Sequence, residues 1–200
     1  MKYNSNLLED WIKDFYCKID IYHPHQLDLS EIGARLGLYI HFERFSSRIY
    51  NGEIIIDSRL SPQEQWEDFG HELCHLLRHY GNQTYMTMPF LDYQETQAEN
   101  FALHFCVPTF MLFKNQVANY VNVQDGIPFV TEKFNVTEKF AKKRLIHFRN
   151  QIQQSKTDQE FRKHMNLLYP KSSPDNWSNE TKLLLDKLNK QIKVKELQGV

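Results

Sequence analysis

The chain has 200 residues, of which 41% are hydrophobic, so it can build one domain with a core and an additional segment. Its 24 basic and 25 acidic side chains give a formal net charge of -1, which argues against a nucleic-acid partner held mainly by bulk charge. The three cysteines, Cys17, Cys74 and Cys106, are widely spaced and form no CxxC pair, which argues against a disulfide framework and against a thiolate zinc site.

Two helices are predicted at the start of the chain. Residues 5 to 18 place apolar side chains on one side of a helix, and residues 28 to 36 form a second helix that Gly37 ends. The first segment, MKYNSNLLEDWIKDFYCK, carries acidic residues and lacks the apolar run of a signal peptide. No stretch approaches the roughly 18 apolar residues of a membrane span. We therefore expect a cytoplasmic protein without a membrane partner.

The pattern changes to that of β-strands in residues 38 to 45 and 48 to 57, which are rich in β-branched and aromatic side chains. Asn51-Gly52, between Tyr50 and Glu53, is a strong hairpin signal. These segments predict a small antiparallel sheet. A hairpin followed by helices, rather than strands alternating with helices, indicates an α+β fold that is mostly helical.

A third helix is predicted to begin at Ser61, which can form a capping box with Glu64 while Pro62 takes the first helical position. Gly81 is its predicted end. Within this helix the segment FGHELCHLLRH, residues 69 to 79, has its apolar side chains on one side and its polar side chains on the other.

The polar side of that helix carries an HExxH motif. His71 and His75 lie one turn apart, a spacing that lets two imidazoles bind one Zn²⁺, while Glu72 is offset enough to stay off the metal and act on water. On the motif alone, a solvated polar face without a function remains open. Cys74 points away from both histidines. His79 lies two turns past His71, about 12 Å along the axis, which is too far to share the ion, and it is expected to line the cleft.

The segment YQETQAENFALHFCVP predicts a further helix that Pro108 ends. Glu95 and Glu99 border the apolar side of this helix, where a carboxylate is costly to bury unless a positive or hydrogen-bonding group meets it. A metal ion on the preceding helix would be such a group. His104 lies on the opposite side and is expected to face solvent.

HELCH and ETQAENFALHFCVP together resemble the ImmA/IrrE family of bacterial metallopeptidases, in which HExxH is followed by Glu-x-x-Ala-(Asn/Asp)-x-Phe-Ala and a closing Pro. The resemblance extends upstream to GEIIIDSRLSPQEQWEDFGHELCH and covers roughly residues 28 to 150. Two positions depart from the pattern, since Cys74 replaces a usual Gly and Glu99 replaces Asn or Asp. The resemblance implies a zincin-like core with Zn²⁺ as cofactor, His71, His75 and Glu95 as metal ligands, Glu72 as general base, and Glu99 as an outer carboxylate that orients a ligand histidine.

The resemblance also implies a function, which is a zinc-dependent endopeptidase that cleaves a transcriptional repressor of a phage or mobile element and so relieves repression. Two other functions stay open. A metal-containing antirepressor would bind the repressor without cutting it, and a DNA-binding regulator would read an operator through residues 126 to 150. Stabilisation of the oxyanion could come from Tyr80, Tyr85, Tyr93 or His79, and the sequence does not choose among them.

Residues 126 to 150 predict a short helix from Pro128, a turn at Asn135 and a second helix capped by Thr137, which has the form of a helix-turn-helix. Such a pair is more often structural than DNA-reading, so nucleic acid is a secondary expectation beside a protein substrate. The basic side chains of the second helix are Lys139, Lys142, Lys143, Arg144 and Arg149.

Residues 151 to 200 predict a polar, partly helical extension without a catalytic motif. The predicted organisation is therefore a zincin-like metallopeptidase domain over residues 1 to 125, a helix-turn-helix-like segment over 126 to 150, and the extension over 151 to 200. Apolar side chains of the extension form a stripe at Leu183, Leu184, Leu188 and Ile192.

Overall fold

The structure is a computed structural model that describes residues 3–79, 86–119, 122–170 and 173–198. The chain divides into two compact units, Met1–Ser155 and Lys156–Val200. The predicted α+β class, mostly helical with a small sheet, is confirmed. Its helices and strands are α1 (Leu7–Lys18), α2 (Leu29–Leu36), β1 (Ile40–Glu43), β2 (Arg48–Tyr50), β3 (Glu53–Asp57), α3 (Pro62–Arg78), α4 (Met88–Cys106), α5 (Thr109–Lys114), α6 (Val123–Phe134), α7 (Glu138–Leu168) and α8 (Asn179–Gln198).

Local capping explains where the first helices begin and end. The predicted capping box at the start of α3 is present, because the Ser61 hydroxyl accepts from the Glu64 backbone and the Glu64 carboxylate accepts from the Ser61 backbone. Gly37 ends α2 with a φ of 68°, a left-handed conformation that glycine adopts without strain. α3 ends at Arg78, and the predicted stop at Gly81 lies outside the described residues.

The three strands form a mixed sheet with the order β1-β3-β2. The predicted hairpin between β2 and β3 is confirmed, and Asn51 and Gly52 have φ values of 51° and 81°, as a two-residue turn of this kind requires. The antiparallel prediction was wrong for β1, which pairs in parallel with β3. The chain reverses after β1 and again after β2, so β3 runs in the same direction as β1 and lies between the other two strands.

The core of the first unit lies between the sheet and the helices that follow it. Ile54 and Ile56 of β3 are fully buried, and α1 contributes Tyr16, whose hydroxyl donates to the Phe105 carbonyl at 2.8 Å. The apolar side of α3 is buried in this core, and its polar side faces the candidate site. Further buried side chains of this core include Ile12, Trp66, Phe69, Leu73, Phe101, Val130, Phe134, Leu145 and Phe148.

The N-terminal segment contacts α7 within the first unit. The Tyr3 hydroxyl donates to the Glu9 carboxylate at 2.8 Å and lies 3.4 Å from the Gln151 side-chain oxygen. The Asn4 backbone N–H donates to the Ser155 hydroxyl at 3.3 Å. Residues near the beginning and the end of this unit are therefore direct neighbours.

The helix-turn-helix-like segment differs in detail from its prediction. The turn at Asn135 is present with a φ of 51°, and the Thr137 hydroxyl accepts from the Phe140 backbone at the start of α7. α6 begins at Val123, however, so Pro128 lies inside the helix rather than at its start. The predicted domain limits at residues 125 and 150 remain predictions, and α7 continues past residue 150 to Leu168.

The basic side of α7 is smaller than the sequence predicted. Arg144 is fully buried, and its guanidinium donates to the Val107 carbonyl at 3.0 Å and to the Thr109 hydroxyl at 2.6 Å. Lys143 is paired with Glu99 at 2.7 Å. Arg144 is therefore a core residue that cannot reach DNA, because its guanidinium is buried against Val107 and Thr109, where α4 ends and α5 begins.

The second unit contains the end of α7 and the helix α8, which confirms a helical C-terminal extension. The predicted apolar stripe of α8 is exposed, with Leu184 at 67% and Ile192 at 46% of full exposure. No helix within the described ranges is both long enough and apolar enough to cross a bilayer.

Candidate metal centre

α3 positions the HExxH residues because its opposite side is packed into the core. His71 and His75 are partly buried, with side chains 24% and 10% exposed. Their Nε2 atoms lie 3.0 Å apart, since residues four apart on a helix share one side. Leu73 and Cys74, between the two histidines, are buried on the other side and hold the helix in this orientation.

α4 supplies the third member of the cluster. Glu95 Oε2 lies 3.1 Å from His71 Nε2, and Glu95 Oε1 lies 3.5 Å from His75 Nε2. Ligands at the corners of a zinc tetrahedron with bonds of about 2.0 to 2.1 Å are separated by roughly 3.3 Å. The observed separations therefore fit a metal ion of this size. Two histidines and one glutamate are also a donor set found in catalytic zinc sites, which leave a further position open.

Glu72 lies beside this cluster in a partly buried environment. Burial, together with the neighbouring carboxylates of Asp68 and Glu95, raises the pKa of Glu72 to about 7, against an opposing effect of Arg48. Asp68 is held by the Ser47 hydroxyl at 2.6 Å. A carboxyl group with such a pKa can gain and lose a proton near neutral pH.

His79 contacts one of the histidines directly, beyond its predicted place in a cleft. His79 Nδ1 lies 2.8 Å from His75 Nδ1, and His79 Nε2 lies 3.2 Å from the Gln97 side-chain oxygen. The Gln97 amide nitrogen donates to the Tyr93 hydroxyl at 2.8 Å. Burial and the neighbouring His71 lower the pKa of His75 to about 4, and burial also lowers the pKa of His79. Both rings are therefore neutral at neutral pH.

The sequence did not single out Gln97. It lies one turn after Tyr93 on α4, at a position between Glu95 and Ala98 that the second motif leaves unspecified, and it is exposed on that helix. Only the approach of α4 to the end of α3 brings its side chain to His79. No pattern within either helix reports that approach.

Glu99 lies one turn after Glu95 and is paired with Lys143 at 2.7 Å. Lys143 lowers the pKa of Glu99, and both side chains are more than half exposed. The predicted role of Glu99 in orienting a ligand histidine stays a prediction. The same holds for an oxyanion role of Tyr93, while Tyr80 and Tyr85 lie outside the described residues.

Two cavities are lined in part by residues of α3 and α4. His71 lines one of about 390 Å³ together with Asp68 and Glu99. His79 and Cys74 line another of about 210 Å³. Burial raises the pKa of Cys74 to about 12, and this thiol is not among the described groups that could hold a metal ion. Side chains of a bound peptide could enter either cavity.

Comparisons with known proteins identify a family and two relatives. Residues 35–146 match the family model described as Peptidase M78, IrrE N-terminal-like domain. The chain is 41% identical over 145 residues to the phage-like element PBSX protein XkdA of Bacillus subtilis (strain 168). The aligned region covers 70% of this chain and 72% of that relative. It is also 41% identical over 160 residues to the uncharacterized protein YqaB of the same organism, covering 76% of this chain and 91% of the relative. No solved structure matches the chain.

Proposed function

Because the chain belongs to the Peptidase M78 (IrrE N-terminal-like) family, we propose that it is a zinc-dependent endopeptidase of the cytoplasm. Family membership confirms the resemblance to ImmA/IrrE peptidases in HELCH and the following helix. The observation that carries the proposal is the approach of Glu95 on α4 to His71 and His75 on α3, at separations of 3.1 Å and 3.5 Å. Glu72 lies next in the chain to one of these ligands.

The residues of the site can be given roles in peptide hydrolysis. His71, His75 and Glu95 would hold zinc, which supplies Lewis acidity toward the attacking water and the scissile carbonyl. Glu72 takes a proton from the water while the water oxygen forms a bond to the carbonyl carbon. Glu72 then passes the proton to the amine nitrogen as the C–N bond breaks.

We further propose that the substrate is a transcriptional repressor of a phage or integrated mobile element. The relative XkdA is a protein of a phage-like element, which supports this genetic setting. Cleavage of a repressor at one site would release the genes it controls. The cavity of about 390 Å³ that His71 lines is suited to receive a side chain of the segment that is cut.

The proposal is tested by co-expressing the chain with candidate repressors of its own genetic element and following repressor fragments by gel electrophoresis. Glu72→Gln keeps the size of the side chain but removes the base, so zinc binding should persist while cleavage falls by roughly 10² to 10⁴. Glu132→Gln, which changes an exposed carboxylate on α6 with a 78% exposed side chain, serves as the matched control and should cleave normally.

One result would contradict the peptidase function, and a second would contradict only the role of Glu72. The first is relief of repression by Glu72→Gln equal to that by the unmodified chain, with fragments from neither protein. That result would support an antirepressor that binds without cutting. The second is persistence of fragments with Glu72→Gln and their loss only with a chelator, which would keep the metal but assign the base to another residue.

A further inference from the structure

His75 uses both of its ring nitrogens. Nε2 faces His71 and Glu95, whereas Nδ1 lies 2.8 Å from Nδ1 of His79, one turn further along α3. The His79 ring continues the contact through Nε2 to the Gln97 side-chain oxygen at 3.2 Å. A line of hydrogen bonds therefore runs from α4 through His79 to the back of His75.

The direction of these hydrogen bonds follows from the Gln97 end. The Gln97 side-chain oxygen can only accept, so His79 Nε2 must carry a hydrogen. A neutral imidazole has one N–H, so His79 Nδ1 keeps a lone pair and accepts from His75 Nδ1. His75 Nε2 is then left with a lone pair that faces the cluster. This tautomer of His75 is the one that can bind a metal ion through Nε2.

The opposite orientation of the Gln97 amide would reverse the whole line. Its NH₂ group would donate to His79 Nε2, and His79 would carry its hydrogen on Nδ1 instead. His75 would then accept at Nδ1 and carry its own hydrogen on Nε2, directed at the cluster. In the structure the Gln97 amide nitrogen lies 2.8 Å from the Tyr93 hydroxyl, which accepts its hydrogen, and the Gln97 side-chain oxygen lies toward His79. Only this orientation leaves the Nε2 lone pair of His75 free for a metal ion.

We infer that His79, Gln97 and Tyr93 form a positioning chain that fixes His75 in the tautomer that binds metal. The inference rests on the metallopeptidase function proposed above. In it, His79 and the Gln97 amide hold the His75 ring through hydrogen bonds. Outer partners of this kind typically change metal affinity or activity by about 10- to 100-fold. None of the three residues needs to touch the metal or the substrate.

Two substitutions of Gln97 distinguish the effect of its side-chain oxygen, which accepts a hydrogen bond, from the effect of its size. Gln97→Met has a similar length but replaces the amide oxygen with a thioether, which is only a weak acceptor, so it should weaken zinc affinity by about tenfold. Gln97→Glu can only accept, so it should retain zinc affinity. His79→Leu should resemble Gln97→Met. Thr96→Ala is the control, because Thr96 is the adjacent exposed residue of α4 and its hydroxyl bonds only within the helix, to Asp92.

Two measurements on the full chain are needed. Competition with a chromogenic chelator gives the zinc affinity, and ¹⁵N NMR of the metal-free protein gives the tautomer of His75. The hydrogen should lie on Nδ1 in the unmodified chain and in Gln97→Glu, and should redistribute toward Nε2 in Gln97→Met. The NMR measurement separates this effect from the added charge of Gln97→Glu.

The outcomes distinguish this inference from the function on which it rests. An unmodified chain that binds no zinc would refute the peptidase proposal, while the NMR tautomer would still test the positioning chain. A zinc-binding chain whose affinity and His75 tautomer are the same in Gln97→Met as in the unmodified protein would overturn the positioning chain alone.

Discussion

Glu95 and Glu99 lie one turn apart on α4, yet their carboxylates have different neighbours. Glu95 faces the Nε2 atoms of two histidines, whereas Glu99 accepts from the Lys143 ammonium. Both side chains are about half exposed, so burial does not distinguish them. Their partners do, because only Glu95 shares a possible metal position with two other donors.

The different neighbours of Glu95 and Glu99 predict different effects on metal content. Purified protein should carry about one zinc ion per chain, and Glu95→Ala should lose most of it because a tetrahedral site then retains two protein ligands. Glu99→Gln should still load zinc, with affinity weakened by no more than about 10- to 100-fold. Elemental analysis after dialysis measures both. Full zinc in Glu95→Ala combined with an empty Glu99→Gln would move the ligand by one turn.

At the scale of elements, the site depends on how closely α3 and α4 approach. Gly70, directly before His71, faces α4, and a Cβ atom at this position would lie 2.7 Å from Cys106 Sγ and 3.5 Å from Ala102 Cα. The Cys106 thiol is fully buried and donates to the Trp66 carbonyl at 3.4 Å. The absence of a side chain at Gly70 therefore lets Glu95 come within reach of the two histidines.

Gly70→Ala should destabilise the protein. Overpacking typically costs about 1 to 3 kcal/mol, which exceeds the roughly 1 kcal/mol that alanine contributes to a helix over glycine. The free energy of unfolding in urea should fall, and zinc affinity should fall with it. In a Cys106→Ala background the obstructing sulfur is absent, so Gly70→Ala should be neutral or stabilising. Equal costs of Gly70→Ala in both backgrounds would refute this close contact.

Features set by nearby residues could be predicted from the sequence. The hairpin at Asn51-Gly52 and the capping box at Ser61 depend on residues at most a few positions apart. The meeting of His71, His75 and Glu95 could also be predicted, because the spacing on α3 defines two of the positions and the resemblance supplied the third. The hairpin and the capping box need no knowledge of distant packing, whereas the place of Glu95 came from the resemblance.

Features that depend on contacts between helices distant in the sequence could not be predicted. His104 was expected to face solvent and is only 1% exposed, because Glu9 of α1 and Arg144 and His147 of α7 lie against that side of α4. A helical wheel shows one helix and does not show what covers its far side. The contact of Gln97 with His79 was missed for the same reason. The parallel pairing of β1 with β3 was missed because it joins strands that are not consecutive in the chain.

At the scale of the whole first unit, a buried polar cluster joins α1, α4, α5 and α7. Thr109 donates to Glu9 at 2.6 Å and accepts from Arg144, and His104 packs against His147 with ring centroids 5.1 Å apart. Glu9 lies 3.8 Å from His104 Nδ1, beyond hydrogen-bond reach, and is already occupied by Thr109 and Tyr3. Burial, followed by Arg144 and His147, lowers the pKa of His104 to about 2.

This cluster predicts that the protein loses stability in mild acid. Between the ordinary pKa of 6.5 and the folded value, the unfolded chain binds a proton at His104 that the folded chain excludes. Stability is therefore highest above pH 6.5 and falls as the pH drops below it, by about 2 kcal/mol between pH 6.5 and 5 from this residue. Urea unfolding of the metal-free chain at several pH values measures the slope, which should be smaller in His104→Leu.

Two further variants control this measurement. The pKa of His147 is also lowered by burial and by Arg144, so His147→Gln should reduce the slope in the same direction. His25→Gln removes an exposed histidine of the segment after α1 and should leave the slope unchanged. A slope that stays the same in both His104→Leu and His147→Gln would show that other groups cause the acid sensitivity.

The neighbouring positions of Asn4 and Ser155 give the first unit an architectural property. Asn4 near the beginning of this unit is hydrogen-bonded to Ser155 at its end, and the other helices and strands of the unit lie between these two residues in the sequence. A unit with adjoining ends can be inserted into another polypeptide, or followed by a different segment, without separating its parts. A different segment that followed this unit would have to continue α7, because Ser155 lies within that helix.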